Sequence, residues 1–140
     1  MKVLVTGAAG FINGYLIPEL LTAGHEVGGI DDRSKYGPLS RSFDGHPSYR
    51  FVEGDAKDES LLTELAADCD QVVAAAAMIG GISYFHEFAF DLLAENERIL
   101  ASTFGAAIAG LGRRAWHDRT GGLGRGGGHR TRRRDAERFD

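Results

Sequence analysis

The first 108 residues read as an α/β chain that winds helices onto both faces of a parallel sheet, and three features predict this. Short apolar runs recur without polar alternation, the pattern of strands covered on both faces. Stretches with an apolar stripe at helical spacing separate them. A glycine-spaced turn joins the first strand to the first helix, as a doubly wound sheet requires at its ligand-binding end.

Val3-Leu4-Val5 forms the first expected strand, closed by Thr6-Gly7. A helix follows over Phe11 to Ala23, with Ile12, Leu16, Ile17, Leu20 and Leu21 as its buried stripe and Gly24 as its stop. Pro18 opposes this assignment, because an interior proline removes a hydrogen bond and crowds the carbonyl four residues back. That carbonyl belongs to Gly14, which has no side chain to obstruct a kink. Glu26 to Ile30 makes a second strand ending at Asp31-Asp32, and the polar stretch from Arg33 to Ser48 is a long loop. Tyr49 to Val52 is a third strand, Asp58 to Ala67 a helix with Leu61, Leu62 and Leu65 on its apolar face, and Gln71 to Ala75 a fourth strand. Gly80-Gly81 opens a loop before a longer helix over Tyr84 to Ala107. This order is the first half of a doubly wound sheet, since parallel neighbours need right-handed crossovers.

The net charge of −4 conceals a split. Residues 1–108 carry −9 and residues 109–140 carry +5, the latter from nine arginines and no lysine. Eight glycines in that C-terminal stretch and few aliphatics leave nothing to build a core from, so residues 109–140 are expected to be a disordered, Gly/Arg-rich basic tail. A nucleic-acid-binding arm and an out-of-frame translation of GC-rich DNA are the other readings of the same composition. Cys69 is the single cysteine, which excludes an intrachain disulfide and reads as a small buried apolar residue. The opening apolar run ends at Thr6-Gly7, before a secretory core is complete. No later run approaches the ~20 apolar residues of a membrane helix. A soluble, cytoplasmic protein is therefore expected. The five histidines show no metal-ligand spacing with Cys69 or each other, and no Walker lysine follows the glycine turn, so neither a metal site nor an NTPase is expected.

The chemistry concentrates in Thr6-Gly7-Ala8-Ala9-Gly10-Phe11-Ile12-Asn13-Gly14. A dinucleotide pyrophosphate must approach backbone N–H groups at a helix N-terminus, and a side chain on the turn would block it. Gly7 would make the tight turn and Gly10 would admit the phosphates; a plain structural turn is the alternative. Asp31 follows at the end of the second strand, where a carboxylate accepts hydrogen bonds from the adenosine ribose hydroxyls. A negative charge there repels the 2′-phosphate of NADP, which favours NAD, although Arg33 could soften the preference.

The run from Thr6 to Ile12 followed by Asp31 resembles the opening of the NAD-dependent epimerase/dehydratase family, the extended short-chain dehydrogenases, whose glycine pattern is Gly-x-x-Gly-x-x-Gly. The third glycine departs from it: Asn13 stands in its place and Gly14 comes one residue late. The resemblance implies a Rossmann-like, NAD-binding half-domain over residues 1–108, truncated after about four strands. It also implies a cofactor site of Gly7, Ala9, Gly10, Phe11, Ile12, Asp31 and Asp32, with Asp55 and Ala56 flanking adenine. Ala75, Ala76 and Ala77 would lie against the cofactor, and Asn96 near the nicotinamide half. Gly54-Asp55 could equally be a strand-ending turn with an Asx cap, and Asn96 a solvent-facing residue. Met78-Ile79-Gly80-Gly81 resembles the loop that sugar-nucleotide epimerases set beside the hexose, or is simply a turn.

The family's catalysis rests on a Ser or Thr and a Tyr-x-x-x-Lys helix, which lowers a tyrosine pKa for proton transfer. Four residues after Tyr15, Tyr36, Tyr49 and Tyr84 stand Glu19, Ser40, Glu53 and Phe88, so no catalytic residue is assigned and the chain alone is expected to be inactive. The resemblance implies epimerisation or dehydration of a nucleotide sugar, with this chain supplying the cofactor half; a non-catalytic NAD(P)-binding or redox-sensing module is the alternative. Without a fifth strand, Val72 to Ala75 should form an exposed sheet edge open to self-association.

Overall fold

The computed structural model describes residues 1–81 and 86–120, with side chains described as far as residue 111. Its elements are β1 (Lys2–Thr6), α1 (Asn13–Thr22), β2 (Glu26–Asp31), β3 (Tyr49–Glu53), α2 (Glu59–Ala66), β4 (Gln71–Val73) and α3 (Ala89–Thr120). The four strands form one sheet in the order β3-β2-β1-β4, and every neighbouring pair is parallel. The predicted doubly wound α/β sheet is therefore the observed one.

Alternation along the central strands divides the core into two layers. Val3, Val5 and Val27 face α1 and pack with Ala8, Ile17, Leu21 and Phe43. Leu4 and Ile30 face the opposite side and pack with Leu62, Ala66, Cys69 and Ala106. β1 is buried at every position from Val3 to Thr6 because helices cover both of its faces, which explains an apolar run without alternation. Cys69 lies buried in the second layer, as its composition suggested.

Three boundaries differ from expectation by two residues or more. α1 starts at Asn13 rather than Phe11, and Phe11 and Ile12 are exposed on the preceding turn, so Ile12 belongs to no core stripe. The helix runs on through Pro18. β4 stops at Val73, two residues before the expected end, because the N–H groups of Ala75 and Ala76 turn to the hydroxyl of Thr6 instead of a strand.

The third difference concerns the last helix. Its expected start at Tyr84 falls outside the described residues. Its backbone continues to Thr120, so the part of the expected tail from 109 to 120 is helical; 121–140 lie outside the described residues. Gly105 and Gly110 have low helix propensity, yet they are where α3 meets α2. A methyl group on Gly105 would come within 2.6 Å of Glu59 Oε1, and one on Gly110 within 2.8 Å of Ala66 Cβ. Close packing between helices outweighs the roughly 1 kcal/mol helix penalty of each glycine.

β4 pairs with β1 on one side, and among the described residues no strand pairs with its other side. Val72 and Val73 are nevertheless half-buried, each packing into one of the two core layers, while Ala74 and Ala75 are exposed. Among the described residues no helix is long and apolar enough to cross a membrane, and no cluster of side chains could hold a metal ion.

Candidate functional site

Because all four strands are parallel, their C-terminal ends lie on one edge of the sheet, and the segments that follow them meet there. This brings together the glycine turn after β1, Asp31 and Asp32 at β2, Asp55 and Ala56 after β3, and Ala75 to Ala77 after β4.

The turn itself is tight. Gly7 has φ +71°, a conformation that side chains disfavour, and the Gly10 N–H donates to the Gly7 carbonyl at 2.8 Å. A methyl on Gly7 would stand 2.8 Å from the Ala76 Cα and 2.9 Å from its nitrogen, so the two loops touch backbone to backbone. No side chain caps the N-terminus of α1; the Gly14, Tyr15 and Leu16 N–H groups bond back to the carbonyls of Gly10, Phe11 and Ile12, so the Phe11, Ile12 and Asn13 N–H groups are the ones left for an anion. Phe11 and Ile12 frame that opening from the solvent side.

Asp31 is tied to the turn. Its Oδ2 accepts the Ala9 N–H at 3.1 Å and its Oδ1 accepts the Arg33 N–H at 2.7 Å, while the Ala8 N–H donates to the Ile30 carbonyl at 3.1 Å. Each carboxylate oxygen retains a lone pair beyond these bonds. Asp32 turns outward and accepts the Ser34 N–H at 2.9 Å and the Ser34 hydroxyl at 2.7 Å. Partial burial pushes the Asp32 carboxyl upward in pKa, but the two Ser34 hydrogen bonds and the Lys57 charge together outweigh it and leave it lowered. Arg33 lies with its guanidinium 4.5 Å over the Phe51 ring and 3.5 Å from Glu53, and its backbone has φ +57°.

Asp55 caps its own turn by accepting the Lys57 N–H at 2.8 Å, the Asx geometry anticipated as an alternative. Ala56 is buried, and its carbonyl accepts the Ser102 hydroxyl of α3 at 2.5 Å. The Lys57 ammonium bridges Asp55 at 3.6 Å and Glu95 at 2.6 Å. The bond to Glu95 is the main reason the lysine pKa is raised and the Glu95 carboxyl lowered. Asn96 is neither free nor solvent-facing in function: its Oδ1 accepts the Met78 N–H at 2.8 Å and its Nδ2 donates to the Met78 carbonyl at 2.9 Å. It therefore holds the segment after β4 in place from α3.

Three organising residues escaped sequence reasoning. Thr6, fully buried, accepts the Ala75 and Ala76 N–H groups at 3.1 Å each and so anchors the alanine segment to β1. Asn13 is buried and donates to the carbonyls of Thr6 and Gly7 at 3.2 and 2.7 Å, binding the helix to the turn where a glycine had been expected. Arg41, from the long loop, donates to the Ala9 carbonyl at 2.8 Å. Only Asn13 gave a signal, as a polar residue in a glycine's place. A cleft of about 500 Å³ elsewhere, lined by Gly28, Arg50, Glu64 and Cys69 among others, contains none of the expected site residues.

Comparison with known proteins agrees with this geometry. The pattern that defines the NAD dependent epimerase/dehydratase family matches residues 3–111. A UDP-glucose 4-epimerase of Klebsiella pneumoniae is 36% identical over 72 residues, covering 49% of this chain and 51% of that protein. The dTDP-glucose 4,6-dehydratase DesIV of Streptomyces venezuelae, crystallised with NAD, superposes with a TM-score of 0.70 at 29% identity, over 80% of this chain and 37% of that one. The UDP-glucose 4-epimerase of Bifidobacterium longum, crystallised with NAD+ and UDP, gives 0.63 at 26% identity, over 76% and 33%. The chain thus spans between about a third and a half of the length of these relatives. With the match covering most of its residues, the chain belongs to the NAD-dependent epimerase/dehydratase family.

Proposed function

We propose that this chain supplies the NAD-binding half of an enzyme that epimerises or dehydrates a nucleotide-linked sugar. The observation that carries the reading is the Asp31 carboxylate, held 3.1 Å from the Ala9 N–H beside an uncapped helix N-terminus, an arrangement that would suit a ribose acceptor next to phosphate donors. The residues fit a dinucleotide: the turn at Gly7 has no room for a side chain, and the phosphate approach is open. The Phe11 and Ile12 N–H groups would take the pyrophosphate over the turn made by Gly7, Ala9 and Gly10, whose own Ala9 and Gly10 N–H groups bond to Asp31 and the Gly7 carbonyl. Asp31 and Asp32 would take the adenosine ribose, Asp55 and Ala56 the adenine edge. Ala75 to Ala77, fixed by Thr6 and Asn96, would line the path toward the nicotinamide. NAD, when bound, supplies hydride transfer at a sugar carbon, which acidifies the neighbouring protons. The chain's own residues bind and orient; among its 140 residues no Tyr-x-x-x-Lys is present to move the proton. That lack favours, as a second reading, a non-catalytic NAD-binding module. A cytoplasmic location goes with either.

The test is titration of the folded chain with NAD and NADP. NAD is expected to bind more tightly, and Asp31→Ala to weaken it by about 1–3 kcal/mol, the scale of hydrogen bonds to a charged group. Arg33 supports the preference, being engaged by Phe51 and Glu53 rather than held toward a 2′-phosphate. Equal affinities unaffected by the substitution would remove the assignment.

Self-association belongs to the same reading. The outer edge of β4 offers backbone groups to a second copy. Phe90, Leu93, Leu100, Phe104 and Ile108 add an exposed apolar stripe at helical spacing on α3, a surface that a two-fold contact would bury against itself. Sedimentation should show a dimer or larger species that Phe104→Glu shifts toward monomer; a monomer at all concentrations would contradict it.

A further inference from the structure

The glycine turn is held from behind by a cation, and nothing in the spacing of the turn requires it. Arg41 lies in the loop between β2 and β3, 31 residues after Gly10 in sequence. Its Nη2 donates to the Ala9 carbonyl at 2.8 Å and reaches the Gly10 carbonyl at 3.4 Å. Its own backbone is fixed by Asp44, whose Oδ2 accepts the Arg41 N–H at 2.8 Å. Gly14 leaves the space it occupies: a methyl there would come within 2.7 Å of Nη1 and 3.2 Å of Cζ. The glycine that comes one residue late is thus the one that admits the guanidinium, while Asn13 ties the helix to the carbonyls of Thr6 and Gly7. Among the described residues no carboxylate forms an ion pair with the Arg41 guanidinium, whose Nε is buried without a partner; the Asp44 carboxylate engages its backbone N–H instead.

Resting on the cofactor reading above, we propose that Arg41 is a positioning residue of the dinucleotide site, a fixed cation on the carbonyl side of the glycine turn that orients its N–H groups and adds positive potential where the pyrophosphate binds. In a trans peptide the C=O and the following N–H point in opposite directions. Arg41, together with the Gly14 N–H that bonds it at 3.2 Å, holds the Gly10 carbonyl and so turns the Phe11 N–H toward the opposite side. A half-buried guanidinium outside any ion pair also reinforces the positive end of α1, and its field is only partly screened by salt.

The experiment compares wild-type chain, Arg41→Met and Arg41→Lys in calorimetric titrations with NAD, ADP-ribose and adenosine at ~50 and ~500 mM salt. Arg41→Met is expected to weaken NAD and ADP-ribose roughly tenfold at low salt. The loss should shrink at high salt, and adenosine, which has no phosphate, should be unaffected. Arg41→Lys, which keeps the charge but not the planar fork, should fall between wild type and Arg41→Met. Should Arg41→Met fail to fold, Gly14→Ala makes the same test by displacing the guanidinium without removing a polar group. NAD affinity within twofold of wild type in the folded variant, or an equal loss for adenosine, overturns the proposal. Wild-type protein that binds no NAD overturns the cofactor reading and this proposal with it, whereas wild-type binding that is indifferent to Arg41 overturns this proposal alone.

Discussion

Replacing Thr6 by valine would test how the two halves of the site are joined. Valine has nearly the same shape, so no cavity is left, and the change removes only the hydroxyl. That hydroxyl accepts the N–H groups of Ala75 and Ala76 at 3.1 Å each and lies within 3.5 Å of the Val73 carbonyl, at a residue with no solvent exposure. Each neutral bond contributes about 0.5–1.5 kcal/mol net, so the pair supplies roughly 1–3 kcal/mol. Ala75 is exposed and Ala76 half-buried, so water recovers part of the loss once the segment loosens. The expected cost is about 2 kcal/mol, read as a fall in melting temperature of roughly 5–10 °C for a chain of this size. Urea unfolding of the full chain gives the free energy directly, and Thr6→Ser, which keeps the acceptor and loses a methyl, should retain most of the stability. NAD affinity should fall with Thr6→Val, since the alanine segment loses its anchor. A change under about 0.5 kcal/mol, or an equal loss in Thr6→Ser, would show that the hydroxyl does not organise this junction.

Gly7→Ala should cost about 2–4 kcal/mol, the sum of left-handed backbone strain and overlap with the Ala76 backbone. Gly24→Ala, at φ +80° with nothing within 4 Å of its methyl, should cost only the roughly 1–2 kcal/mol of strain; equal losses in chemical denaturation would contradict the close approach of the two loops. Tyr49 gives the fold one alkaline-sensitive contribution. Burial, and then the charges of Asp44 and Asp31, push its phenol from 10.0 up to about 12. The folded state favours the neutral form, so this contribution is complete below pH 10 and is lost as the pH rises toward about 12. Tyr49→Phe should flatten the fall in stability over that window, and parallel curves for the two proteins would refute the assignment.

The elements legible in the sequence were those whose cause is local. Val3 to Val5 announces a two-sided strand because helices cover both faces of β1, and Gly24 ends α1 because the chain there needs a positive φ. Asp58 starts α2 by accepting the Leu61 N–H, a cap readable from its position before the leucine stripe. The glycine turn and Asp31 were legible for a chemical reason, since the proposed phosphate site would tolerate no side chain and the proposed ribose contact would need an acceptor.

Where distant segments meet, the sequence was silent. The reach of α3 past Ala107 depends on Gly105 and Gly110 lying against Glu59 and Ala66, contacts that helix propensity alone weighs the wrong way. Arg41 behind Ala9 and Gly10, Ser102 on the Ala56 carbonyl and Asn96 on Met78 join residues 18 to 46 positions apart. Periodicity and glycine spacing determined the α/β class, the succession of strands along the chain and the place of the glycine turn, because those follow from burial and backbone geometry within a few residues. Which side chains hold that turn in shape was decided only by the folded sheet, since a hydrogen-bond partner is chosen by distance in space and not by spacing along the chain.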